Sequence, residues 1–242
     1  MAESVTPYKR ENSSKKGEIK EMFDNIAPQY DVLNHSLTFG MDILWRKRAI
    51  NLLKPYQPQI VVDMATGTGD FAVEARKLSP QKIIGIDLSP NMLEIGRKKM
   101  KDKGLDQLIE MRLGDSEAIQ LEDESVDAMT VGFGVRNFEN LKKGLSEMKR
   151  VMKTGKPIVI LEPSFPTKFP LKQLFQLYFK VFTPIVGRLI SGDQAAYTYL
   201  PESVKAFPNG EEFLQICKEV GFSTTKYIPL TGGICSMYLL EK

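Results

Sequence analysis

Apolar positions change their spacing several times along this chain. From residue 18 to residue 54 they recur at helical intervals, most clearly over Trp45 to Leu53, and Pro55 stops that helix. Ile60-Val61-Val62 is a short β-branched run ending at Asp63. A glycine-containing turn follows, and Phe71 to Leu78 predicts a helix closed by Pro80. Lys82 to Asp87 predicts the next strand. Ser89 then caps a helix with Pro90 at its first position, Asn91 to Lys103 as its body and Gly104 as its end. Leu108 to Leu113 and Val126 to Phe133 predict strands, Asn140 to Met152 a helix, and Pro157 to Glu162 another strand. Strands that alternate with helices imply βαβ units, a parallel sheet and right-handed crossovers. After residue 200 the order changes. A helix over Gly210 to Val220 precedes Ser223 to Pro229 and Ile234 to Leu240, which Gly232-Gly233 joins as an antiparallel pair. The expected fold is α/β and doubly wound, a parallel sheet finished by an antiparallel strand.

Composition narrows the chemistry. The 242 residues suit one α/β domain, and 42% hydrophobic content is enough for a core without disulfides or metal. A net charge of +3 argues against a basic nucleic-acid coat, and two cysteines argue against a disulfide-dense secreted scaffold. His35 is the only histidine, which excludes multi-histidine zinc sites, so no metal is expected. The polar N-terminal stretch lacks the apolar core of a secretory signal and predicts a mobile arm over residues 1–17, ahead of a single domain over 18–242. No window has the roughly 18 consecutive apolar residues of a membrane-spanning helix. The expectation is a cytoplasmic protein, with contact at the inner face of the membrane left open.

The strongest local signal is Val61-Val62-Asp63-Met64-Ala65-Thr66-Gly67-Thr68-Gly69-Asp70. Gly67 and Gly69 allow a ligand to approach the backbone of a strand-to-helix turn, and Asp87 ends the next strand where a carboxylate can hold a ribose diol. The spacing also matches a dinucleotide turn. Asp63 and Asp70 would repel a pyrophosphate there, whereas S-adenosylmethionine carries an ammonium and a sulfonium. Charge therefore favours S-adenosylmethionine, held by Asp63, Thr66, Gly67, Gly69 and Asp87. The plainer alternative is that the two carboxylates merely cap the turn and the helix. Asp115-Ser116, after the third strand, would lie near the adenine or be an ordinary polar loop pair.

Several further blocks resemble the menaquinone/ubiquinone biosynthesis C-methyltransferases. They are Tyr30-Asp31-Val32-Leu33-Asn34-His35 through Gly40 with Trp45-Arg46, and Phe133-Gly134-Val135-Arg136-Asn137. Arg150 to Lys153, Leu161-Glu162-Pro163-Ser164 and Tyr197 to Ser203 with Phe207-Pro208 continue the resemblance to the C-terminus. Thr38, Thr154, Lys156 and Pro163 depart from the family's usual residues, and Gly132 stands where a small hydroxyl residue near the cofactor is common. The resemblance implies a class I S-adenosylmethionine-dependent methyltransferase with a Rossmann-like seven-stranded sheet. Residues 18–56 would form N-terminal helices and 168–205 a helical lid over the substrate.

What the resemblance implies chemically is methyl transfer to a ring carbon of a polyprenyl quinol, demethylmenaquinol by default and a methoxy-benzoquinol as the alternative. Ring carbon becomes nucleophilic once a neighbouring hydroxyl loses its proton, and a phenol does so with a pKa of about 10. Arg136 is the expected oxyanion stabiliser, with a structural ion pair as its alternative, and Asn137 would orient the hydroxyl. Asp115 leads as base and His35 follows. Tyr30, Asn34, Tyr197 and Tyr199 would line the acceptor, while Trp45 suits the core better. The apolar stretch Phe169 to Ile190 could be a buried lid helix, a dimer contact, a groove for the prenyl tail or a membrane-facing element.

Other functions fare worse. A nucleic-acid amino-methyltransferase would place Asn/Asp-Pro-Pro-aromatic after the fourth strand, where this chain has Gly132-Phe133-Gly134-Val135. A cytosine-C5 enzyme needs a cysteine that typically follows proline, and Cys217 and Cys235 both follow isoleucine. No nucleic-acid partner is expected. A nicotinamide oxidoreductase and a non-catalytic cofactor-binding subunit complete the field.

Overall fold

The computed structural model describes residues 5–175, 177–178 and 194–242, with the side chains of Gln194 and Tyr197 outside that description. Strands β1 (Ile60–Met64), β2 (Lys82–Asp87), β3 (Ile109–Leu113), β4 (Ala128–Gly132), β5 (Pro157–Pro163), β6 (Thr224–Leu230) and β7 (Cys235–Glu241) form one sheet in the order β3-β2-β1-β4-β5-β7-β6. β1 to β5 run parallel, and β7 is antiparallel to both β5 and β6. This is the sheet expected from the alternation, to within two residues at most strand ends.

Period-two alternation divides the strands between two cores. Val62, Met64, Ile84, Ile86, Met129, Val131, Ile158 and Ile160 pack on one face against α6 (Leu141–Val151) and α8 (Glu211–Val220). Val61, Ile83, Ala128, Val159 and Leu161 pack on the other against α3 (Met41–Leu53), α4 (Asp70–Ala75) and α5 (Pro90–Asp102). Consecutive residues feed opposite layers, so a slip of one residue would expose both cores. The strand order reverses between β1 and β4, which opens a crevice at the carboxyl ends of the strands.

Helices α1 (Lys15–Ile26), α2 (Tyr30–Leu37) and α7 (Gln194–Ala206) stand near that crevice. Ile19 and Met22 of α1 pack with Tyr199 of α7, and Ile26 packs with Met92 of α5. Helix α1 begins earlier than expected, because Ser14 caps it by accepting from the N–H of Gly17 at 3.0 Å. The preceding residues are also tied down more firmly than a mobile arm would be. The buried Glu18 carboxylate accepts from the backbone N–H groups of Tyr8, Lys9 and Arg10 at 2.6, 3.1 and 3.0 Å. Their peptide groups find a charged acceptor, which polar composition alone does not reveal.

Of the apolar stretch Phe169 to Ile190, residues 176 and 179–190 lie outside the described residues, and 171–175 are helical. Among the described residues no helix is long and apolar enough to cross a membrane.

Candidate active site

Two cavities meet at the carboxyl ends of β1, β2 and β4. The first is a narrow cleft of about 80 Å³. Met64, Ala65 and Gly67 of the glycine turn, Asp87, Leu88 and Ser89 after β2, and Asp115-Ser116 line it, with Gly132 to Gly134 and Asn137 opposite. Lys16, Ile19, Lys20 and Phe23 of α1 form its outer wall. Gly67 has φ +57°, so a residue with a Cβ would be strained there. The Asp87 carboxylate accepts from the N–H of Gly67 at 2.7 Å and the N–H of Ser89 at 2.9 Å. It thereby fixes the turn and keeps lone pairs for a ligand diol, and burial raises its pKa.

Asp63 and Asp70 do not line this cleft, which corrects the role expected of them. Asp63 shares the sheet face of Val61 and lies beneath the turn. It is fully buried, and it accepts from the hydroxyls of Thr66 at 2.5 Å and Thr130 at 2.7 Å and from the N–H of Ala72 at 3.1 Å. Burial pushes its pKa up to about 6 against those hydrogen bonds. Thr66 and Gly69 also stand behind the turn. Gly69 has φ +88° where the turn enters α4, so the backbone conformation itself calls for glycine, and a Cβ would also meet the tip of Met100 at 2.5 Å. Asp70 pairs with Lys99 at 2.8 Å, and despite burial that cation holds it below the usual carboxylate range.

The second cavity is larger, about 450 Å³, and mostly apolar. Met22, Leu33, Leu37, Phe39, Trp45, Leu174, Phe175 and Leu200 are among the side chains that line it. Phe23, Tyr30 and Phe133 border both cavities and form the partition between them. The polar groups of the second cavity largely satisfy one another. Trp45 Nε1 donates to Thr231 Oγ1 at 2.8 Å, and Thr38 Oγ1 donates to Asp42 at 2.7 Å. The Tyr178 hydroxyl donates to the carbonyl of Leu37 at 2.7 Å, and that of Tyr199 to Asn137 Oδ1 at 2.9 Å. Burial pushes Tyr199 up to about 12 and also raises Tyr30.

Arg136 is the exception. Its Nη1 donates to Glu162 Oε2 at 3.0 Å and to the carbonyl of Phe133, yet its buried Nε has no partner among the described residues. A buried orphan donor is rare and expensive. Nε itself is closed off by the protein, while Arg136 as a residue borders this mostly apolar cavity and brings the one guanidinium to its described lining.

The expected site residues therefore divide between the cavities. Asp87, Gly67, Asp115, Ser116, Gly132 and Asn137 gather at the cleft, while Arg136, Asn34 and Tyr199 gather at the larger cavity and Tyr30 joins the two. Tyr197 belongs to α7, and its side chain is outside the described residues. The base expected at Asp115 is not where the acceptor would sit. Asp115 lines the cleft and pairs with Lys16 at 2.6 Å, which despite burial holds its pKa low. His35 lines neither cavity, because its ring nitrogens face Asp42 at 2.9 Å and Asp70 at 3.5 Å. Sequence reasoning missed Phe23 and Lys16, which look like ordinary helical positions. It quoted Glu162 within a motif without seeing that the next strand aims it at Arg136.

A doubly wound sheet with an antiparallel seventh strand, a glycine turn after β1 and a carboxylate after β2 is the arrangement of S-adenosylmethionine-dependent methyltransferases. A solved S-adenosylmethionine-dependent methyltransferase of Thermotoga maritima superposes with a TM-score of 0.64 at 19% identity, covering 93% of this chain and 99% of that one. The chain belongs to the ubiE/COQ5 methyltransferase family, which it matches over residues 10–242. A demethylmenaquinone methyltransferase of Bacteroides fragilis is 49% identical over 99% of this chain and 98% of its own. A ubiquinone/menaquinone biosynthesis C-methyltransferase of Geotalea uraniireducens is 42% identical over 95% and 98%.

Proposed function

We propose that this enzyme methylates a ring carbon of a reduced polyprenyl naphthoquinone, demethylmenaquinol, as part of menaquinone synthesis. The observation that carries this reading is Arg136, a guanidinium on the wall of a mostly apolar cavity that abuts the cofactor cleft. The 49% identical relative is named for that substrate and supports it over the benzoquinol of the alternative.

The cleft suits S-adenosylmethionine in its donors: Asp87 for the ribose hydroxyls, Gly67 for close backbone approach and Asp115-Ser116 toward the base. When bound, that cofactor supplies an electrophilic methyl group. On the acceptor side, Arg136 favours loss of the quinol proton. At about 4 Å and an effective dielectric near 20, a guanidinium stabilises an oxyanion by up to ~4 kcal/mol, enough to lower a phenol pKa of about 10 by up to roughly three units. The ionised oxygen, its proton given up to solvent as the quinol binds, feeds electron density into the ring carbon. That carbon takes the methyl group and then yields its own hydrogen as a proton to the oxygen, restoring the aromatic quinol. The oxidised quinone cannot begin this sequence. Asn137, held by Tyr199, stands beside Arg136 where the two cavities meet. Phe23, Tyr30 and Phe133 keep water from the ring.

The prenyl tail would leave through the apolar side of the cavity. Phe39 is 73% and Leu174 61% exposed there, and Lys47, Arg48, Lys168 and Lys172 are exposed on neighbouring segments. This supports contact of that face with an anionic membrane surface. The test of the acceptor assignment is Arg136→Gln. Cofactor affinity by calorimetry should be unchanged while kcat falls roughly a hundred- to a thousandfold. Unchanged turnover would remove Arg136 from the reaction.

A further inference from the structure

Glu162 is fully buried near the end of β5, yet it lines neither cavity. Its oxygens are committed to one loop, to Arg136 and also to the backbone N–H of Val135. Oε1 accepts from the backbone N–H of Arg136 at 3.2 Å, and Oε2 accepts from Nη1 of the same residue at 3.0 Å. Glu162 thus holds the loop that separates the cavities and the guanidinium that the loop presents. Phe133, Gly134 and Asn137 of that loop border the cofactor cleft, and Arg136 borders the acceptor cavity. The grip is one-sided. It occupies Nη1, together with the Phe133 carbonyl, and leaves Nε without a partner.

A purely structural ion pair would be expected to saturate the buried guanidinium. This pair holds the guanidinium through Nη1 alone, and it places a negative charge next to the cation that an ionising quinol must use. We propose that Glu162 is a positioning residue for methyl transfer: it aims Arg136 at the acceptor oxygen and tempers its charge, thereby setting the pH at which the bound quinol ionises. The inference rests on the assignment of Arg136 to the acceptor oxygen.

Two opposed fields act on that oxygen. Arg136 favours the anion, and the Glu162 carboxylate behind it disfavours the anion from farther away. Burial raises the pKa of Glu162 itself against the hydrogen bonds from Arg136; where Glu162 is charged, the pair is neutral before reaction and no isolated cation is stranded in hydrocarbon. The other titratable groups facing the pair are Lys15 from α1, Tyr30 from α2, Tyr199 from α7, and Cys235 and Tyr238 from β7. The tyrosines and the thiol are pushed upward by burial, so they do not ionise on the acid side. Lys15, its pKa lowered by burial and by Arg136, donates to the carbonyls of Arg136 and Phe138 at 3.0 Å.

The experiment is the pH profile of kcat for reduced short-chain demethylmenaquinone, which reports ionisations in the enzyme–substrate complex, with melting temperature and cofactor affinity measured alongside. Glu162→Gln removes the opposing charge and should move the acid limb to lower pH by about one unit. Arg136→Gln should move it upward. Glu162→Asp keeps the charge and retracts the carboxylate, so it should leave the limb in place and lower kcat about tenfold at unchanged cofactor affinity. A limb unmoved in Glu162→Gln but raised in Arg136→Gln overturns the role of Glu162 and leaves that of Arg136 standing. A limb unmoved in both overturns both. If Glu162→Gln does not fold, Glu162→Asp decides alone, because wild-type kcat in that variant contradicts the aiming.

Discussion

Asp63 was expected to face a cation and instead holds the glycine turn from below. The residue two positions back explains this. In a strand, Asp63 must share the face of Val61, and that face is roofed by α4, whose Ala72 N–H it accepts. Spacing along the chain brought Asp63, Gly67 and Asp87 into one motif, but only strand alternation tells which of them meet a ligand. Asp63 also makes a pH-dependent contribution. Its pKa rises from about 3.8 unfolded to about 6 folded, so the folded state binds the extra proton between those values. Stability is therefore greatest below about pH 4 as far as this group is concerned, and it is lost as pH rises through 6, by up to about 3 kcal/mol. Asp63→Asn keeps acceptor and donor capacity for Ala72 and the two threonines. Melting curves across that window should lose this decline in the variant; a decline of wild-type size would mean that Asp63 is not the titrating group.

Among the elements, α1 departs most from expectation. The sheet and its flanking helices were legible because apolar periodicity of two or 3.6 residues is a direct image of burial. The N-terminal arm was not, because Glu18 captures it through backbone N–H groups that no side-chain pattern records. Arg10 adds a pair with Glu21 at 2.7 Å, and Lys9 reaches Glu202 of α7 at 3.1 Å. Although burial opposes it, hydrogen bonds from Ser13, Tyr8 and Arg10 hold Glu18 down at about 2, against about 4.5 when unfolded. The sign is opposite to that of Asp63: the contribution is present above about pH 4.5 and is lost as pH falls toward 2. Glu18→Gln should raise hydrogen exchange of the amides of residues 8–10 at neutral pH about ten- to a hundredfold, in line with the loss of charge-assisted bonds worth roughly 1.5–3 kcal/mol. Wild-type protection in the variant would show that the segment is held by other contacts. Since α1 walls the cofactor cleft, the same variant should bind cofactor with altered kinetics.

For the molecule as a whole, function follows from two cavities of different character sharing one aromatic partition. The cleft takes Gly67, Asp87, Asp115, Ser116 and Gly132 from strand ends, where the sequence motifs lie, and its outer wall from α1, which carries no such motif. The apolar cavity is assembled from α1, α2, α3, the helical stretch at 171–175, α7 and the turn after β6. Those pieces are far apart in the chain, so the Trp45–Thr231 hydrogen bond has no local signal. The absence of any histidine or carboxylate among the described lining of that cavity shifts the burden of activation onto Arg136. The measurement that bears most directly on this account is transfer of a labelled methyl group from S-adenosylmethionine to short-chain demethylmenaquinone, reduced and oxidised, beside the reduced methoxy-benzoquinol. The account predicts a singly methylated product from the reduced naphthoquinone, less from the benzoquinol and none from the oxidised ring. No product from either quinol, or equal transfer to the oxidised ring, would contradict it.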